Sequence, residues 1–244
     1  QREAVAVRVG DDEHVGVGGV RDPERSFALD VTGPSVHRDS IFMLWPIETF
    51  PRTRLWLDEN ILSGLGHNMA FSLRFPANDA PPQVSLNFGY SDATISFLDS
   101  IAPLKGAEGR ATLEGKTFRL EIDAGSVTPE GAGAVEIRPS MMVVPDVTRR
   151  PGLLDLDLGM VGPTAAFLTV LSNPPFKTDP DAPDMLPPDQ ATGETEISTT
   201  IEVPLGKGGG MQAATFDIAG RVTDFTNDTL LQGMTLAANL VTIE

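Results

Sequence analysis

Along most of this chain apolar residues return at every second position, the spacing of a strand with one face in a core and the other in water. Residues 26–32 carry Phe27, Leu29 and Val31 on one side, and residues 68–76 carry Met69, Phe71, Leu73 and Phe75. Val84, Leu86, Phe88 and Tyr90 follow, then Ile95 and Phe97 in a short run over 94–97, then Phe118, Leu120 and Ile122. Leu154, Leu156 and Leu158 alternate with Asp155 and Asp157, which predicts one oily and one wet face. Ile197 to Leu205, Phe216 to Val222, and Leu236, Ala238, Leu240 and Thr242 close the series. Shorter runs at 4–9 and 14–20 open it. Glycine- and proline-rich stretches at 76–82, 125–133 and 207–210 read as turns or linkers, so neighbouring strands pair antiparallel in a meander.

Two segments break the period of two. Residues 45–64 hold both tryptophans, with Pro51 suited to a first helical turn and Gly64 to the position just past a helix end. Trp56, Leu57, Ile61 and Leu62 recur there at helical spacing. A second short helix is expected over 164–172, started by Gly162-Pro163 and stopped by Asn173-Pro174-Pro175. The proline- and aspartate-rich residues 177–190 predict a loop. The expected fold is mainly β: an elongated, curved antiparallel sheet with one or two short helices, forming a single segment over 1–244.

Composition narrows the partners. With 34 acidic against 18 basic residues the net charge is −16. Such a surface repels phosphate backbones and anionic membrane faces, so no nucleic-acid partner is expected. The absence of cysteine removes disulfides, thiolate catalysis and cysteine metal sites together. No apolar run approaches the roughly 20 residues that cross a bilayer. The chain begins at Gln1 with no signal peptide, which reads as a processed product or a fragment whose anchor, if any, lies elsewhere.

Chemistry-bearing motifs are sparse. His14, His37 and His67 have no partners at metal-ligand spacing. Asp155 with Asp157, and Asp179, Asp181 and Asp184, lack the spacing of a calcium loop. Lys207-Gly208-Gly209-Gly210 reads as a hairpin turn, without the strand-to-helix setting of a phosphate loop. No catalytic residues, metal ligands or cofactor are expected, and the chain is not expected to be an enzyme. What stands out is a continuous apolar face with only two short helices to cover it, and acyl chains are its natural filler.

Trp45-Pro46, Arg54-Leu55-Trp56-Leu57 and Asn60-Ile61-Leu62-Ser63-Gly64 resemble a signature of AsmA-like proteins of the YhdP type. Residues 87–97 and Pro103-Leu104-Lys105-Gly106-Ala107-Glu108-Gly109 resemble the segment that follows it. The likeness covers about residues 40–140; the 177–190 insert has no counterpart in the pattern. That resemblance, which extends to TamB, implies a repeating β-groove, tethered to an inner membrane by a helix outside these residues and extending through a periplasm. It implies transfer of phospholipid or another acyl lipid toward the outer membrane, with inner- and outer-membrane proteins as partners.

Resemblance and periodicity meet at the expected groove wall: Leu86, Phe88, Ile95, Phe97, Phe118, Leu120, Ile122, Leu156, Leu158, Ile201, Val203, Phe216, Ile218, Leu236 and Leu240. The alternative is an extracytoplasmic β-sandwich for scaffolding or adhesion, with the same residues in a closed, lipid-free core. A glycan-binding face ranks third, because only Trp45, Trp56 and Tyr90 are candidate platforms.

Overall fold

The computed structural model describes residues 3–8, 14–21, 27–39, 51–75, 82–177, 186–206, 209–231 and 234–243. Twelve strands run in sequence order through a single sheet: β1 (Glu3–Arg8), β2 (His14–Arg21), β3 (Phe27–His37), β4 (Ile61–Phe75), β5 (Gln83–Ile95), β6 (Leu104–Glu114), β7 (Thr117–Val127), β8 (Val135–Val144), β9 (Gly152–Pro163), β10 (Ala191–Leu205), β11 (Thr215–Leu231) and β12 (Met234–Ile243). Every neighbouring pair is antiparallel, and β1 and β12 do not meet, so the sheet is open. The meander expected from the short inter-strand turns is the observed topology. Helices α1 (Pro51–Asn60) and α2 (Thr164–Leu171) join β3 to β4 and β9 to β10. Both helices, and the long connections 96–103 and 128–134, therefore lie at one end of the strands.

The sheet is bent by irregularities that the sequence placed on residues able to tolerate them. Asn68, Asp92 and Asp224 have φ values of 53°, 51° and 52°. Asn and Asp adopt that left-handed conformation at lower cost than other residues with a Cβ. Each lies at a register shift, between β4 and β5, β5 and β6, and β10 and β11 respectively. An extra residue on one strand bends that strand and increases local twist.

Three sequence expectations need correction. The first helix ends at Asn60, and Ile61, Leu62 and Gly64 open β4 instead of finishing and capping a helix. Asn60 C=O accepts the amide of Ser96 at 2.8 Å, and Ile61 pairs with Ile95, so sheet pairing outcompetes another helical turn. Gly64 serves a close approach: a Cβ there would stand 3.2 Å from Ala93 Cα. Second, β5 ends at Ile95 and leaves Phe97 in the following bend. Third, β7 runs through Gly125, so the linker before β8 starts only at 128. Trp45-Pro46 and most of the 177–190 loop, including Asp179, Asp181 and Asp184, fall outside the described residues.

Candidate functional site

Register decides which side chains share a face, because residues directly opposite in a sheet point the same way. One row reads Phe88–Ala111–Leu120–Met142–Leu156–Ile201–Phe216 from β5 to β11. At ~4.8 Å between strands these six steps span roughly 29 Å. A parallel row, Phe71–Leu86–Leu113–Phe118–Val144, lies two residues away and runs from β4 to β8. On the other side the matching row is Asn87–Thr112–Arg119–Val143–Asp155–Glu202–Thr215, polar at all but one position. The sheet is amphipathic across its width, and no second sheet covers the apolar face among the described residues.

Part of that face is dry. Tyr90, Ile95, Leu104, Ala107 and Ile122 bury one another, with Phe88, Leu120, Val127 and Ile137 packed around them. Glycine permits this contact. Tyr90 stands opposite Gly109 and reaches across β6, where its hydroxyl donates to Glu121 O at 2.7 Å; a Cβ on Gly109 would lie 2.9 Å from that hydroxyl and 2.0 Å from Glu121 O. Burial, then the charges of Asp123 and Glu121, push the Tyr90 hydroxyl above the ordinary tyrosine range. Leu104 likewise lies over Gly125, where a Cβ would come within 2.8 Å of its Cδ1.

A second stretch is roofed by α2. Ala166 and Phe167 pack on Val135, with Ala132, Met160 and Ile197 against them. Thr164 and Thr195 satisfy each other beneath the helix, hydroxyl to hydroxyl at 2.9 Å. The chain then turns back over the face: Ser100 Oγ donates to Pro174 O, and the Phe176 ring meets Phe216 edge-on at 6.3 Å.

The residues picked from sequence divide accordingly. Ile95, Ile122, Ile201 and Val203 are buried; Leu86, Phe88, Phe118, Leu120, Leu156 and Leu158 are half-buried. Phe216 and Ile218 are on the same face and more than two-fifths exposed. Phe97 is off the sheet. Leu236 stands opposite Asn227 on the outermost strand and is exposed. Leu240 stands opposite Thr223, one residue out of step with the Val222–Val241 pair that carries the apolar face onto β12, so it belongs to the polar face. Sequence reasoning missed Leu113, Ala111, Met142 and Val144, all within the rows. Leu113 was findable from its spacing to Ala111, but Pro139 and Ser140 blur the alternation of β8.

The polar face offers little by comparison. A cleft of about 490 Å³, lined in part by His67, Asn68, Asn87, Arg110, Glu121 and Asp123, is open to solvent. No group of three or more His, Asp or Glu suited to a metal ion occurs among the described residues. No described helix is long and apolar enough to cross a membrane.

In comparisons with known proteins, the chain matches no family model, no curated protein and no solved structure.

Proposed function

We propose that this chain is a segment of a lipid-transfer bridge, carrying phospholipid acyl chains along the apolar face of its open sheet between an inner and an outer membrane across a periplasm. The observation that carries the reading is the unbroken row from Phe88 to Phe216, apolar at every step while the matching row on the opposite face is polar at all but one. A methylene removed from water gains about 0.8 kcal/mol, so several in contact with such a row hold a chain firmly. The row repeats at each strand, with Ala111, Met142 and Ile201 already buried in it and Phe88, Leu120, Leu156 and Phe216 more open. A chain would rest mainly on those four; sliding needs no bond chemistry. Head groups stay in water. The sandwich alternative requires a second sheet over this face, whereas the described strands all belong to one sheet.

The test is native mass spectrometry, with lipid extraction, on protein purified from a bacterial host. Co-purified phospholipid well above trace occupancy supports the reading and identifies the cargo. A clean apo mass, together with no uptake of added fluorescent phospholipid, rejects it in favour of a scaffolding role.

A further inference from the structure

We infer that Phe176 is a built-in competitor for the apolar row, which an acyl chain must displace from Phe216 in order to lie there; this rests on the lipid reading above. Phe216 ends the row on β11 and is 42% exposed, and the Phe176 ring lies against it. The segment presenting Phe176 is shaped locally. Ser172 Oγ and Asn173 Nδ2 donate to Leu168 O and Thr169 O at 2.9 and 2.7 Å, which continues the end of α2. Asn173 O then accepts the amides of both Phe176 and Lys177 at 3.1 Å, folding 173–177 into one turn. The Ser100 hydroxyl ties the same turn, at Pro174 O, to the connection between β5 and β6.

The turn therefore reaches from α2 back to the floor of the face and occupies it with a ring. Yet Phe176 remains 37% exposed, and the aromatic contact it makes with Phe216 is edge-on. Such a pair is displaceable: it contributes a fraction of what a multi-methylene chain gains on the same surface. The sign of the effect sets Phe176 apart from the wall residues. Removing a wall residue weakens lipid binding; removing Phe176 strengthens it.

The experiment measures binding of cis-parinaric acid, a single fluorescent acyl chain, to wild type, Phe176→Ser, Phe176→Leu and Phe216→Ser, with circular dichroism as the check on folding. Phe176→Ser should bind about two- to tenfold more tightly than wild type, the range an aromatic pair is worth. Phe176→Leu should fall between them, and Phe216→Ser should bind more weakly. Wild-type binding with Phe176→Ser unchanged or weaker overturns the competitor role and leaves the lipid reading standing. No binding by any of the four folded proteins overturns the lipid reading and the competitor role with it.

Discussion

Placing one aspartate at two positions on the same apolar face separates an open groove from a closed core. Ile122 is 4% exposed, inside the dry cluster with Tyr90 and Leu104. Ile122→Asp forfeits nearly all the burial of an isoleucine, roughly 3 kcal/mol, and adds about 2 kcal/mol for a polar group without partners. The sum, about 5 kcal/mol, consumes the whole stability of a marginal protein, since folded domains hold about 5–15 kcal/mol. Ile218 shares that face but is 41% exposed. Ile218→Asp forfeits only the buried part, about 1–2 kcal/mol, and its carboxylate remains hydrated. Urea unfolding followed by circular dichroism should show Ile122→Asp unfolded or nearly so and Ile218→Asp folded with a modestly lower midpoint. In a fluorescent-phospholipid uptake assay the folded Ile218→Asp should lose most of its binding. Equal, large destabilisation by both substitutions would refute the open-face argument; a folded Ile218→Asp with wild-type uptake would refute the lipid one.

Tyr90 is the chain's single tyrosine, so tyrosinate absorbance reports on it alone. Its raised folded value keeps it neutral at a pH where a free tyrosine, with pKa ~10, has begun to ionise. In urea the titration should return to the free value. By the same linkage, stability is fully present below the unfolded pKa and falls as pH rises above it, a fall that Tyr90→Phe should abolish. Gly109→Ala forces a Cβ to 2.0 Å from the Glu121 carbonyl, and should cost about 3 kcal/mol in urea unfolding through strain and loss of the Tyr90 hydrogen bond. Asp146, in the turn between β8 and β9, is held below the usual carboxylate range, first by the Thr148 hydroxyl and then by the Thr148 amide. The order it gives that turn is present above the ordinary carboxylate pKa and lost as pH falls through the depressed value; amide exchange there should rise on acidification in wild type and be pH-flat, after correction for intrinsic rates, in Asp146→Asn.

The sheet was legible because its strands obey the simplest rule available. In β10, Ile197, Thr199, Ile201 and Val203 alternate with Ser198, Thr200 and Glu202, and the structure buries the first set more deeply. Failures arose where a face depends on a neighbour. In β12 both alternating sets contain apolar residues, Leu236 and Leu240 in one, Val241 and Ile243 in the other, and only pairing with Val222 and Gly220 decides between them. Asp92 sits in the left-handed region between Tyr90 and Ala93, so strict counting by twos fails to carry that face to the end of β5. Ile61 and Leu62 fit a helix by spacing, yet the partner strand 34 positions away from Ile61 claims them. The α2 segment was readable as a helix, but its docking over Met160 and Ile197 is a tertiary choice that local periodicity does not encode.

The central claim, that acyl chains lie on one face of β11 and not on the other, is tested most directly on a chain without cysteines of its own. Phe216→Cys, Asp217→Cys and Ile218→Cys sit on consecutive, alternating faces, with Asp217 opposite Thr200 on the polar side. Maleimide labelling of each is followed with and without phospholipid vesicles. The lipid-groove account predicts slower labelling at 216 and 218 when lipid is present and an unchanged rate at 217. Equal protection at all three positions, or protection at none, would contradict it.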